Sequence, residues 1–197
     1  MAMIGKYCAK EQGFTLIELL IATAISGIVI GAIFSFLIVQ RKYLNQQEQV
    51  TEMIQNARAA MDMITSELTM AGYNPKGATF DGIPYDTSQL RINADLKGDG
   101  DLDDSNEIIA YAYDAEKKAV TRRTGNGTPQ PLVENALAFN FEYLDANGNP
   151  TTQTADIRQV RITLTVRTSK PDPQYGENGG YRTYTLSSLV TPRNLAF

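Results

Sequence analysis

Histidine and tryptophan are absent, and the one cysteine is Cys8. Without histidine the chain lacks the commonest general base and metal ligand, so hydrolytic and zinc chemistry lose their usual residues. A single cysteine makes no intrachain disulfide. No phosphate-cradling Gly-x-x-x-x-Gly-Lys run occurs, and no nucleophile elbow. Gly98-Asp99-Gly100 has no strand-to-helix context and is no nucleotide fingerprint. An excess of positive charge is missing too: 18 Lys and Arg face 22 Asp and Glu, for a net charge of −4. That balance argues against a nucleic-acid-seeking surface. Arg122-Arg123 and the arginines between 158 and 167 could line a DNA-binding face, but acids interleave with them and a solvated sheet face is the expectation. No proline precedes Pro75. The first third of the chain is therefore free to be one helix.

What is present begins with an apolar run from Phe14 to Val39, interrupted by a single charge, Glu18. A helix needs about 20 apolar residues to cross the bilayer hydrocarbon, and this run exceeds that. A carboxylate inside it is costly and calls for a partner. Gly27 and Gly31 form a Gly-x-x-x-Gly pair, joined by Ala22, Ser26 and Ser35, which suits close helix–helix approach. Beyond Gln40 polarity rises but the helical period persists. Val50, Ile54, Ala57, Met61, Ile64, Leu68 and Ala71 make one stripe, and Gly72 with Pro75 stops it. The expected helix spans 14–71. A coiled-coil seam would use the same stripe; the strand-rich region that follows makes a packed sheet the expected partner.

After a loop over 72–88, short strands are expected at 90–92, 107–113, 119–124, 136–144, 157–168 and 181–190. In 136–144 the alternation puts Leu137, Phe139, Phe141 and Tyr143 on one face. Residues 125–131 and 170–180 read as loops, and Asn147-Gly148 as a tight turn. The fold class is α+β: a long N-terminal helix, its first half transmembrane, packed on an antiparallel sheet.

Gly13-Phe14-Thr15-Leu16-Ile17-Glu18-Leu19-Leu20 resembles the class III signal of type IV pilins and type II secretion pseudopilins. The glycine, the phenylalanine, the glutamate four residues later and the apolar run match together. The tail, Val190-Thr191-Pro192-Arg193-Asn194-Leu195, more loosely resembles the ending of PilW-type minor pilins and J-type minor pseudopilins. The resemblance implies a leader over 1–13, a transmembrane helix over 14–39, its amphipathic continuation over 40–71 and a β-rich periplasmic or extracellular domain over 72–197. It implies that a prepilin peptidase cuts Gly13–Phe14 and methylates the new amine of Phe14. Cys8 would leave with the leader. Glu18 would meet the N-terminal amine of a neighbouring subunit, and Gly27 and Gly31 would pack helices. Lys6 and Lys10 favour a cytoplasmic leader while Arg41 and Lys42 oppose it; the resemblance puts the leader inside and the C-terminal domain outside. Partners would be other pilin or pseudopilin subunits through the N-terminal helix, and an inner-membrane assembly platform. The implied role is a non-enzymatic minor subunit, at the tip or priming assembly of a type IV pilus. The alternatives are a minor pseudopilin of type II secretion, or an adhesin or DNA-uptake subunit.

One stretch stands apart. Asp95, Asp99, Asp101, Asp103, Asp104 and Glu107 crowd a single loop against Lys97. Such density repels itself unless solvated or bound to a cation. In an EF-hand frame starting at Asp95, Asp99 takes the fifth place, Gly100 the sixth, Asp101 the seventh and Asp103 the ninth. Lys97 at the third place and Asn106 at the twelfth depart from the frame, with Glu107 one step late. A dockerin-like Ca²⁺ loop using Asp95, Asp99, Asp101, Asp103 and Glu107 stands beside a second reading, an acidic turn built by Asp-Gly chemistry.

Overall fold

The computed structural model describes residues 13–195. Apart from Gly13, the leader expected over 1–13, with Lys6, Cys8 and Lys10, lies outside the described residues. The chain divides into two compact units between Gln46 and Gln47. One helix, α1 (Leu16–Thr69), begins in the first and ends in the second.

In the first unit every described residue from Gly13 to Asn45 is exposed. The apolar side chains of this half meet no other element among the described residues of the unit. Gly27 and Gly31 do not interrupt the helix, and a Cβ built on either meets no atom within 4 Å. Thr23 Oγ1 donates to Leu20 O at 3.0 Å and Ser35 Oγ to Gly31 O at 2.9 Å. Both hydroxyls are thereby satisfied by the helix itself, which an apolar solvent requires.

In the second unit the remaining turns of α1 carry the stripe that the sequence marks. Ala57, Ile64, Leu68 and Ala71 are fully buried, Met61 nearly so, and Val50 and Ile54 lie against the core. Met53 and Ala60 widen the buried face. The partner is sheet, not a second helix. Seven strands follow: β1 (Gln89–Asn93), β2 (Ile108–Asp114), β3 (Ala119–Thr124), β4 (Gln130–Glu134), β5 (Ala136–Leu144), β6 (Gln159–Arg167) and β7 (Thr183–Val190). They form two antiparallel sheets, ordered β1-β2-β3-β4 and β5-β6-β7, where one sheet was expected. Helix and both sheets share one core, with Leu90, Ile92, Tyr111 and Val120 from the first sheet and Phe139, Val160, Ile162 and Leu164 from the second.

Two expectations fail for local reasons. The loop expected over 125–131 runs into β4, because Pro131 lies on an outer strand, where a missing N–H costs no ladder bond. Leu137 does not share the inner face of Phe139 and Tyr143. A register shift between Ala136 and Ala138 inserts an extra residue, and Leu137 is exposed. The break between the sheets sits at Asn135, whose φ of 56° turns the chain between β4 and β5. Asn135 O then accepts Arg167 N at 2.9 Å, while Ala136 N donates to Lys118 O at 2.8 Å.

Candidate functional site

The start of α1 is built from its own residues. Thr15 precedes the first helical residue. Its N–H and its hydroxyl both donate to Glu18 Oε2, at 2.8 and 2.7 Å, and Glu18 N donates back to Thr15 Oγ1 at 3.3 Å. This is a capping box, in which a Thr before the helix and a Glu three residues later satisfy each other's open backbone groups. Reading Glu18 only for its charge missed it, although the Thr-x-x-Glu spacing is visible in the sequence. Both bonds from Thr15 converge on Oε2; among the described residues Oε1 has no partner. Gly13 and Phe14 precede the helix in irregular backbone, and Phe14 is 88% exposed. A Cβ built on Gly13 meets nothing within 4 Å.

The acidic loop brings together three of its five proposed ligands. Carboxylate oxygens of Asp95, Asp99 and Glu107 all lie within 4.8 Å of one another. Asp101 and Asp103 do not join that group; Asp101 Oδ1 instead accepts Asp103 N at 3.0 Å, a local turn. Asp95 is completely buried and Glu107 is 1% exposed. Backbone amides satisfy both. Asp95 Oδ1 accepts Gly98 N at 2.6 Å and Asp99 N at 3.2 Å, and Asp95 Oδ2 accepts Gly100 N at 3.0 Å. Glu107 accepts Lys97 N at 3.1 Å and Asp104 N at 3.3 Å. The loop can wrap Asp95 this closely because Gly98 and Gly100 take φ of 72° and 89°, a region that side chains disfavour. Lys97, at the place where a ligand was expected, points its ammonium to Asp104 at 2.5 Å. That contact raises the Lys97 pKa.

A third cluster was not foreseen. Glu67 of α1 accepts a two-pronged contact from Arg122 of β3, Nη2 to Oε1 at 2.7 Å and Nε to both oxygens at 3.1 Å. The Tyr111 hydroxyl donates to the same carboxylate. Glu67 raises the Arg122 pKa, and burial, then Glu67, raises that of Tyr111. The arginines that might have formed a DNA-facing row are otherwise occupied. Arg161 pairs with Glu142, and Arg167 lies over the Tyr181 ring at 4.0 Å. No single residue pattern signals such pairs, because Glu67 and Arg122 are remote in sequence.

Residues 8–34 match the family model for the prokaryotic N-terminal methylation motif, the segment that holds Gly13, Phe14, the capping box and the exposed apolar turns. The N-terminal segment of the chain thus carries a prokaryotic N-terminal methylation motif, which supports a type IV prepilin-like protein. Among solved structures the chain is similar to the type IV-like pilin TTHA1219 from Thermus thermophilus. The identity is 14%, the alignment covers 73% of this chain and 98% of that one, and the TM-score is 0.49. No curated protein matches it. The prepilin signal and the exposed apolar helix fit membrane anchoring.

Proposed function

We propose that this prepilin-like protein is a minor subunit of a type IV pilus, at or near the tip, and that it acts by assembly and not by turnover. The observation that carries the reading is the N-terminal half of α1: a methylation-motif helix whose apolar side chains are all exposed and whose one acid keeps an oxygen without a partner among the described residues. Such a surface belongs first in lipid and then among other helices of its kind. A prepilin peptidase cuts between Gly13 and Phe14, on the cytoplasmic side, where a glycine offers no side chain to obstruct the enzyme. The β-rich unit lies in the periplasm until the assembly platform draws the subunit into the filament. The amine of a neighbouring Phe14 reaches Glu18 while Thr15 holds the carboxylate in place. Gly27 and Gly31, where a built Cβ meets nothing within 4 Å among the described residues, let neighbouring helices approach.

The capping box sharpens the experiment. Glu18→Gln keeps an oxygen for Thr15 and removes the charge. If Glu18 pairs with a neighbour's amine, this variant is processed and inserted normally but is missing from sheared filaments. If Glu18 serves only as a cap, Glu18→Gln enters filaments like the parent and the pairing role falls. Gly13→Leu should leave unprocessed precursor in the inner membrane; mature-sized protein from that variant would count against the cleavage site. A type II secretion pseudopilin would use the same chemistry, and the machine that fails in a deletion strain separates the two.

For the acidic loop the reading is a weak Ca²⁺ site on Asp95, Asp99 and Glu107, supported by three converging hard oxygen donors. Calcium should raise the melting midpoint of the detergent-purified chain, chelator should reverse the rise, and Asp99→Ala should abolish it. A midpoint indifferent to calcium in the parent leaves the amide-wrapped turn as the whole account.

A further inference from the structure

The two sheets have four outer strands, and three of them are blunted. At β1, Gly82 O accepts Asn93 N at 2.8 Å and Asn93 O accepts Gly72 N at 2.9 Å. β4 is five residues long and carries Pro131 and Glu134; proline and charge are common devices against edge pairing. β5 is engaged at both ends, by Ala136 N on Lys118 O at 2.8 Å and by Thr151 N on Tyr143 O at 2.9 Å. β7 has none of these devices. Its eight residues, TYTLSSLV, include no charge, no proline and no glycine, and among the described residues it pairs only with β6.

The direction of its open groups follows from the register. Thr168 N donates to Arg182 O at 2.9 Å, so Arg182 turns its backbone toward β6. Backbone groups alternate sides along an antiparallel strand. The β6–β7 register is unshifted, so Tyr184, Leu186 and Ser188 also face β6, while Thr183, Thr185, Ser187 and Leu189 turn their N–H and C=O groups away from it. Beside the C-terminal half of β7 lies a shallow, open groove of about 420 Å³, lined by Asp62, Thr65 and Thr69 of α1 and by Leu189 and Thr191. It lies where side chains of an added strand would fall, and Asp62 is its one charged group.

We propose that β7 is a strand-addition site: an extended segment of a different neighbouring subunit pairs with its outward edge and sets a basic side chain against Asp62. This rests on the filament reading above, in which a subunit present in few copies is flanked by subunits of other kinds. Main-chain hydrogen bonds would supply the affinity, and Asp62 in the groove the selectivity.

The test uses the full-length protein, free in detergent micelles and within sheared filaments, with amide hydrogen exchange as the readout. Strand addition predicts at least about 10-fold slower exchange on assembly at Thr183, Thr185, Ser187 and Leu189, with little change at the β6-facing amides. Ser187→Pro removes an outward N–H without touching the β6 ladder and should cut recovery in filaments several-fold. Ser187→Lys should do the same by charge. Thr163→Lys, one strand inward, should not. If the chain is in filaments and the outward amides exchange as in micelles, strand addition is overturned while the filament reading stands. If Thr163→Lys is as damaging as Ser187→Lys, the sheet face docks and not the edge, and the proposal falls. A chain absent from filaments overturns both readings. Cross-linking of Ser187→Cys to a second copy of the same chain, in place of another subunit, overturns the assignment of the partner.

Discussion

The two halves of α1 share one backbone geometry and meet opposite surroundings. From Leu16 to Asn45 every residue is exposed, Phe34, Phe36 and Ile38 included. From Met53 to Leu68 most apolar residues fall at helical spacing and the core takes those: Ala57, Ile64 and Leu68 are 0% exposed, while Met63 lies off the stripe and is exposed. The first half is apolar on all sides and the second on one side only. That difference separates a helix apolar enough to lie in lipid from one with water on one face and protein on the other. Hydroxyls bond back to the helix in both halves, as Thr23 and Ser35 do in the first and Thr51 and Thr69 in the second. Only in the second do longer polar groups also reach across to sheet and loop, as Glu67 does to Arg122 and Gln49 to the Lys170 amide at 3.0 Å.

The sharpest way to break this comparison is to make the same substitution in each half. Ile64→Ala leaves a void in the shared core and should cost about 3 kcal/mol of stability in the β-rich unit, read as a lower melting midpoint. Ile28→Ala, on the exposed half, should leave that midpoint unchanged. A comparable loss from both would mean that the N-terminal half also supports the folded unit.

Next in size is the Glu67 cluster. Glu67→Ala strands the Arg122 guanidinium and the Tyr111 hydroxyl in a half-buried place and should cost about 2 kcal/mol. The same cluster gives an alkaline limb. The folded-state pKa of Tyr111 is raised above its ordinary 10.0, by burial first and Glu67 second. Its contribution is therefore fully present below pH 10 and is lost as pH climbs above it. Tyr111→Phe should flatten that loss in pH-dependent unfolding; an unchanged limb would assign it to other groups.

Carboxylates on turns predict a smaller effect at the acid end. Hydrogen bonds, that of the Ser88 hydroxyl first, lower the Asp86 pKa below 3.8. Its contribution is present above pH 3.8 and is lost as pH falls through the lowered value. Asp86→Ala should make acid unfolding shallower.

The smallest effect tests the first half alone. Thr15→Ala removes the cap and should cost about 1 kcal/mol of first-turn stability. It should speed amide exchange over residues 16–19 in micelles and leave the β-rich unit untouched. If exchange there stays as in the parent, the capping box holds nothing.

Much of this molecule is legible in residue order. The apolar run, the stripe from Val50 to Ala71 and the alternation in β6 are short-range patterns, and each buries or exposes the residues that its period selects. The class III wording around Gly13 and Glu18 is equally local, and so is the Thr15–Glu18 cap, though charge drew attention from it. What the order of residues left open depends on partners far away in sequence. The division into two sheets turns on one left-handed residue, Asn135, and on the bonds that Lys118 and Arg167 make around it. The Glu67–Arg122–Tyr111 cluster needs helix and sheet docked before any of its members has a neighbour. Within the acidic loop, composition marked five ligands alike, and folding buried Asp95 and Glu107 beside Asp99 while leaving Asp101 and Asp103 in an outer turn. Period and wording are carried by residues a few positions apart, so sequence alone determined them. Sheet boundaries, ion pairs and the open edge of β7 are set by which segments meet in space, so tertiary structure alone decided them.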